Sequence, residues 1–107
     1  MQYKITDLDI STADAENVQL EYQGGDLSLK FTDWQEHTCK LRFIEVLAFR
    51  WEDEFDTPGI RDDSCYLVEG SPWLARQAEL AGEDANHYVH YKLCFNTCGV
   101  LDVVCKP

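Results

Sequence analysis

Five side chains in the last third of the chain carry the residue types of metal or thiol chemistry: His87, His90, Cys94, Cys98 and Cys105. A structural zinc site usually draws on short ligand spacings such as Cys-x2-Cys, and no Cys-x2-Cys pair occurs. If His87 and His90 lie on one strand they point to opposite faces, because side chains alternate. A Cys/His nucleophile pair would need a cysteine on a strand-to-helix turn and a glycine-shaped oxyanion hole, and the surrounding residues supply neither. The reading is therefore no metal, no cofactor and no catalytic residue, so not an enzyme. Cys39, Cys94 and Cys105 are expected to be small core residues.

The strongest chemical signal is electrostatic. Residues 52–63 concentrate six carboxylates, Glu52, Asp53, Glu54, Asp56, Asp62 and Asp63, around a single cation, Arg61. A calcium loop places its acids at alternate positions around a central glycine and ends on Glu, and this spacing differs. Such a loop is suited to docking a basic partner, with Phe55 and Ile60 as the apolar anchors that interfaces need. The partner-binding residues expected here are Glu52, Asp53, Glu54, Phe55, Asp56, Ile60, Asp62 and Asp63. Glu45 interrupts an apolar stripe, and a bulge that turns it outward spares the cost of burying its charge.

The elements that must position these groups are mostly strands. Val18, Leu20 and Tyr22 alternate with polar residues, as do Leu27, Leu29 and Phe31. Gly24-Gly25 between them suits the positive φ angles of a type I′ turn. That turn predicts Gln23 opposite Asp26, Tyr22 opposite Leu27, Leu20 opposite Leu29 and Val18 opposite Phe31. A first strand is expected at Tyr3–Thr6, and a short one at Cys65–Val68. Residues 38–51 are apolar on both parities over much of their length. They read as one strand or two, with the pattern of a central strand covered on both sides and a bend or bulge near Ile44-Glu45. Ser71-Pro72 starts a helix, a hydroxyl cap before a proline, and Gly82 stops it. His87–Phe95 and Val100–Cys105 form a second hairpin. Reading Thr97-Cys98-Gly99 as its loop sets Phe95 opposite Leu101, Leu93 opposite Val103 and Cys94 opposite Asp102.

The chain of 107 residues is one domain, 1–107, and 45% of it is hydrophobic, enough for one core. The fold class is mainly β, bordering on α+β: a curved antiparallel sheet or partly open barrel with one short helix. The net charge is −11. Residues 1–53 contribute −6 and residues 54–107 contribute −5, so the acidity is global. This field repels nucleic acid and anionic lipid and favours cationic partners. No stretch is apolar enough to span a membrane, and Met1–Ile5 lacks a signal-peptide core. Five cysteines, an odd number, point to a reducing compartment, with the cytoplasm expected.

Ser71-Pro72-Trp73-Leu74, His90-Tyr91-Lys92-Leu93-Cys94-Phe95-Asn96 and Gly99-Val100-Leu101-Asp102-Val103-Val104 resemble small uncharacterised bacterial proteins related to the immunity proteins of polymorphic toxin systems. These segments cover about a third of the chain. The resemblance implies a cytoplasmic inhibitor that binds a cognate toxin, and it carries over no functional residue. The expected function is a non-catalytic, immunity-like inhibitor whose acidic surface occupies the basic site of a toxin. The alternative is a small ligand-binding or structural β domain that uses an aromatic concavity of its sheet as a pocket.

Overall fold

A computed structural model describes residues 1–53 and 59–107. Among the described residues, eight strands and one helix follow in the order β1 (Gln2–Ile5), β2 (Glu16–Gln23), β3 (Asp26–Thr32), β4 (Thr38–Phe43), β5 (Ala48–Glu52), β6 (Cys65–Glu69), α1 (Pro72–Ala81), β7 (Val89–Phe95) and β8 (Gly99–Cys105), with a 3-10 turn at Ala85–His87. The strands form two antiparallel sheets, β1-β6-β7-β8-β5 and β2-β3-β4. The sheets are not closed into a barrel.

The β2–β3 hairpin follows from its turn. Gly24 and Gly25 have φ of 61° and 85°, angles that cost glycine nothing. The expected pairs Gln23–Asp26, Tyr22–Leu27 and Leu20–Leu29 all form. Val18 and Phe31 do not form a regular pair: a bulge between Glu16 and Gln19 sets Asn17 and Val18 together against Phe31 and leaves Glu16 opposite Thr32. Asn17, with φ of 55°, takes up the extra residue.

Residues 38–51 hold two strands with the bend at Ile44-Glu45 as expected, but neither strand is central. Glu45 has φ of +47°, and its N–H donates to the Asp26 carboxylate at 3.2 Å, while Val46 N–H donates to the Gly25 carbonyl at 2.7 Å. This corner sends the chain from one sheet to the other. β4 becomes an edge of the three-stranded sheet and β5 an edge of the five-stranded sheet. Glu45 points outward, as its charge requires, and pairs with Lys106 at 3.5 Å.

The second hairpin is offset by two residues from its expected register. Phe95 faces Gly99, Leu93 faces Leu101 and Lys92 faces Asp102. The loop is Asn96-Thr97-Cys98, and Gly99 belongs to the strand. Its glycine is required by packing: a Cβ there would stand 2.3 Å from the Glu52 carbonyl oxygen and 2.9 Å from the Trp51 ring. A two-residue offset preserves side-chain parity, so each residue keeps its expected face and changes only its cross-strand partner.

The core lies between the sheets. Leu27, Leu29, Phe31 and Phe43 from one sheet pack with Leu93, Phe95, Leu101 and Val103 from the other. Phe31 and Phe95 meet edge to face with centroids 5.3 Å apart, a favoured aromatic arrangement. The outer face of the five-stranded sheet is covered at one end by α1. At the other end Ile60 packs on Tyr66, Cys94 and Val100. Among the described residues, no helix is long and apolar enough to cross a membrane.

Candidate functional site

Between those two covers, the outer face of the five-stranded sheet holds a polar network centred on Asp102. β8 places this carboxylate among Val100 and Val104, fully buried. β7 supplies His90 and Lys92, β5 supplies Arg50, and the start of α1 supplies Ser71. Asp102 Oδ1 lies 2.7 Å from His90 Nε2. Lys92 Nζ reaches Asp102 Oδ2 at 3.3 Å, as does Arg50 Nε. On its other side, His90 Nδ1 is 2.8 Å from Ser71 Oγ. The Arg50 guanidinium lies over the Trp73 ring, 4.3 Å from its centroid, and the Trp73 ring stands edge-on to His90 at 5.0 Å.

Burial pushes the Asp102 carboxyl up. The His90 hydrogen bond and the charges of Lys92 and Arg50 outweigh that, so it is held below its ordinary value. A carboxylate can be buried only with such partners.

Ser71, His90 and Asp102 are linked in the order of a hydrolase triad. The neutral Nε2–H tautomer of His90, inferred from its partners, satisfies each group. The Ser71 hydroxyl donates to Nδ1, and Nε2–H donates to Asp102. The same hydroxyl oxygen accepts the Leu74 N–H at 3.1 Å, which makes it the N-cap of α1. Ser71 is 7% exposed and His90 4% exposed. Pro72 has no N–H, and that of Leu74 is committed to the cap, so two early helix positions offer nothing to an oxyanion. The arrangement can therefore lock α1 to the sheet through its first turn.

The acidic segment flanks this network. Glu52 ends β5, exposed, 3.6 Å from Arg50. The Asp53 carboxylate accepts from Trp51 Nε1 at 3.0 Å. Asp62 is exposed, and Asp63 pairs with Arg61 at 3.2 Å. Glu52 lies opposite Val100, which lies opposite Cys94, and Cys94 N–H donates to the Ser64 carbonyl. Glu52 thus ends β5 with Asp53 after it, and Asp62–Asp63 precede β6, at the same end of a sheet in which β8 and β7 separate the two strands. Ile60 is half-buried on Tyr66, Cys94 and Val100, so it fastens the segment to the sheet. The expected contacts Glu54, Phe55 and Asp56 lie outside the described residues.

His87 sits in the 3-10 turn rather than on β7, away from the His90 network. Among the described residues, no group of three His, Cys, Asp or Glu could hold a metal ion. Cys94 and Cys105 are core residues as expected, and Cys39 is half-buried beside Asp33. The expected aromatic concavity takes another form. A cavity of about 740 Å³ on the three-stranded sheet is lined by Gln19, Leu20, Glu21, Ser28, Leu29, Lys30, Lys40, Leu41 and Arg42, with no aromatic ring among them.

The Asp102 network was not anticipated from sequence. Its readable signal was a carboxylate on the apolar stripe of Val100 and Val104, with a lysine on the facing strand.

Comparison of the chain with protein-family models, curated proteins and solved structures finds no match.

Proposed function

We propose that this chain is a non-catalytic binding protein, an immunity-like inhibitor whose acidic rim occupies the basic site of a bacterial toxin in the cytoplasm. The observation that carries the reading is the placement of Glu52, Asp53 and Asp62 on one exposed rim of a chain at net charge −11. Exposed carboxylates where the chain leaves β5 and where it approaches β6 present a charged surface beside the sheet, suited to steering a basic partner. The use of Ser71 as a helix cap further supports a role in binding rather than turnover, because its hydroxyl already serves the fold.

A pull-down from native lysate tests this, with Glu52→Gln/Asp53→Asn/Asp62→Asn as the control. The expected result is a basic protein retained by the wild-type chain and lost with the triple variant. Equal retention by both would contradict the reading.

A further inference from the structure

The chain has nine Lys and Arg residues and twenty Asp and Glu residues. Cations are scarce, and the structure uses most of them internally. Lys4, Arg42, Arg50, Arg61, Lys92 and Lys106 each pair with a carboxylate. Among the described residues, only Lys30, Lys40 and Arg76 form no ion pair. Lys30 and Lys40 stand directly opposite each other on β3 and β4. Like charges so placed repel, and the nearby Glu21 forms no ion pair with either lysine among the described residues.

Arg42, two residues along β4, shares their face, and the three cations line the cavity of about 740 Å³ together with Gln19, Glu21 and Ser28. Lysine on an edge strand is a common guard against edge-to-edge aggregation, which would account for Lys40 on β4. It does not account for Lys30, which lies on the central strand. β4 pairs only with β3, so its outer backbone edge is open among the described residues.

We propose that this face binds an acidic, extended peptide segment of a partner, added as a strand along β4. Alternate residues of such a segment point to one face about 7 Å apart, the repeat that separates Lys40 from Arg42. Its carboxylates fall beside Lys40 and within reach of Lys30, with Arg42, already paired with Asp26, at the end of the same row, while its main chain pairs with the open edge. A single-stranded nucleic acid fits less well, because its bases need aromatic platforms and the cavity lining has none. The proposal concerns a different sheet from the acidic rim and stands independently of it.

The test is titration of the full chain with a synthetic heptapeptide of alternating Glu and Val, followed by amide NMR shifts. The expected result is that amides of β4 and of Lys30 move. Replacing every Glu in the peptide by Gln should weaken binding at least tenfold. Lys30→Gln/Lys40→Gln, two exposed substitutions, should do the same while spectral dispersion stays that of the wild type. Equal binding of the Glu and Gln peptides, or shifts confined to other strands, would overturn the proposal. So would a short oligothymidylate that moves the same amides as strongly, or a dimer of the chain that dissociates in the double lysine variant.

Discussion

Replacing Asp102 by Asn removes one charge while nearly preserving shape, and it leaves the His90 hydrogen bond possible through the amide oxygen. What it strips away is the counter-charge of Lys92, whose side chain is 9% exposed and whose ammonium lies 3.3 Å from the carboxylate. Breaking a buried pair by removing one partner typically costs about 3–5 kcal/mol. Arg50 adds less, because its side chain is 45% exposed and solvent screens it. A loss of about 3–4 kcal/mol is therefore expected. With a urea m-value of about 1–3 kcal/mol/M, the unfolding midpoint should fall by more than about 1 M. The assay is urea unfolding followed by tryptophan fluorescence, with Lys92→Met and the double variant completing a cycle. Removing both charges should recover much of the loss. The pH dependence has a definite sign. The folded carboxyl lies below its ordinary value of 3.8, so its contribution is fully present above about pH 4 and is lost as pH falls through the lower folded value. The variant should lose less stability than the wild type in that acid window. A midpoint unchanged within about 0.5 kcal/mol, the scatter of surface substitutions, would refute the view of Asp102 as the hub of the network.

Gly99→Ala should cost about 1–3 kcal/mol by overpacking, since its Cβ meets the Glu52 carbonyl and the Trp51 ring. Gly25→Ala, with nothing within 4 Å of its Cβ, should cost only the strain of its positive φ, about 1 kcal/mol; equal losses in thermal unfolding would contradict the packing role of Gly99. Burial pushes the Cys65 and Cys105 thiols up to about 12 and Cys94 to about 11. At pH 8 iodoacetamide should therefore leave Cys65, Cys94 and Cys105 unlabelled in the folded protein, as read by peptide mass spectrometry, and label all five cysteines once denatured.

Much of the architecture was legible where local chemistry decides it. Gly24-Gly25 specified both the turn and the register around it, and Ser71-Pro72 with Gly82 marked both ends of the helix. Expectation and structure part where a tertiary contact overrides a local cue. Gly99 looks like a turn residue, but its glycine answers to the Glu52 carbonyl on a strand distant in sequence. The resulting two-residue error left every face correct and every cross-strand partner wrong. Asp102 was thereby placed opposite Cys94 instead of Lys92, and the buried network disappeared from view. At Glu45 the outward bend was legible from the cost of burying a charge in an apolar stripe, but the change of sheet it makes was not, because the Asp26 carboxylate that holds this corner lies nineteen positions away.

The central claim is electrostatic docking through the rim, and association kinetics test it most directly. The partner recovered by pull-down is measured against the wild-type chain and against Glu52→Gln/Asp53→Asn/Asp62→Asn, each at low and at physiological ionic strength. Steering by exposed charge acts on the association rate and fades over a screening length of about 8–10 Å in physiological salt. The wild-type rate should therefore fall as salt rises, and the variant should associate several-fold more slowly with a weaker salt dependence and an unchanged urea midpoint. A variant that associates at the wild-type rate, together with a wild-type rate indifferent to salt, would contradict the claim.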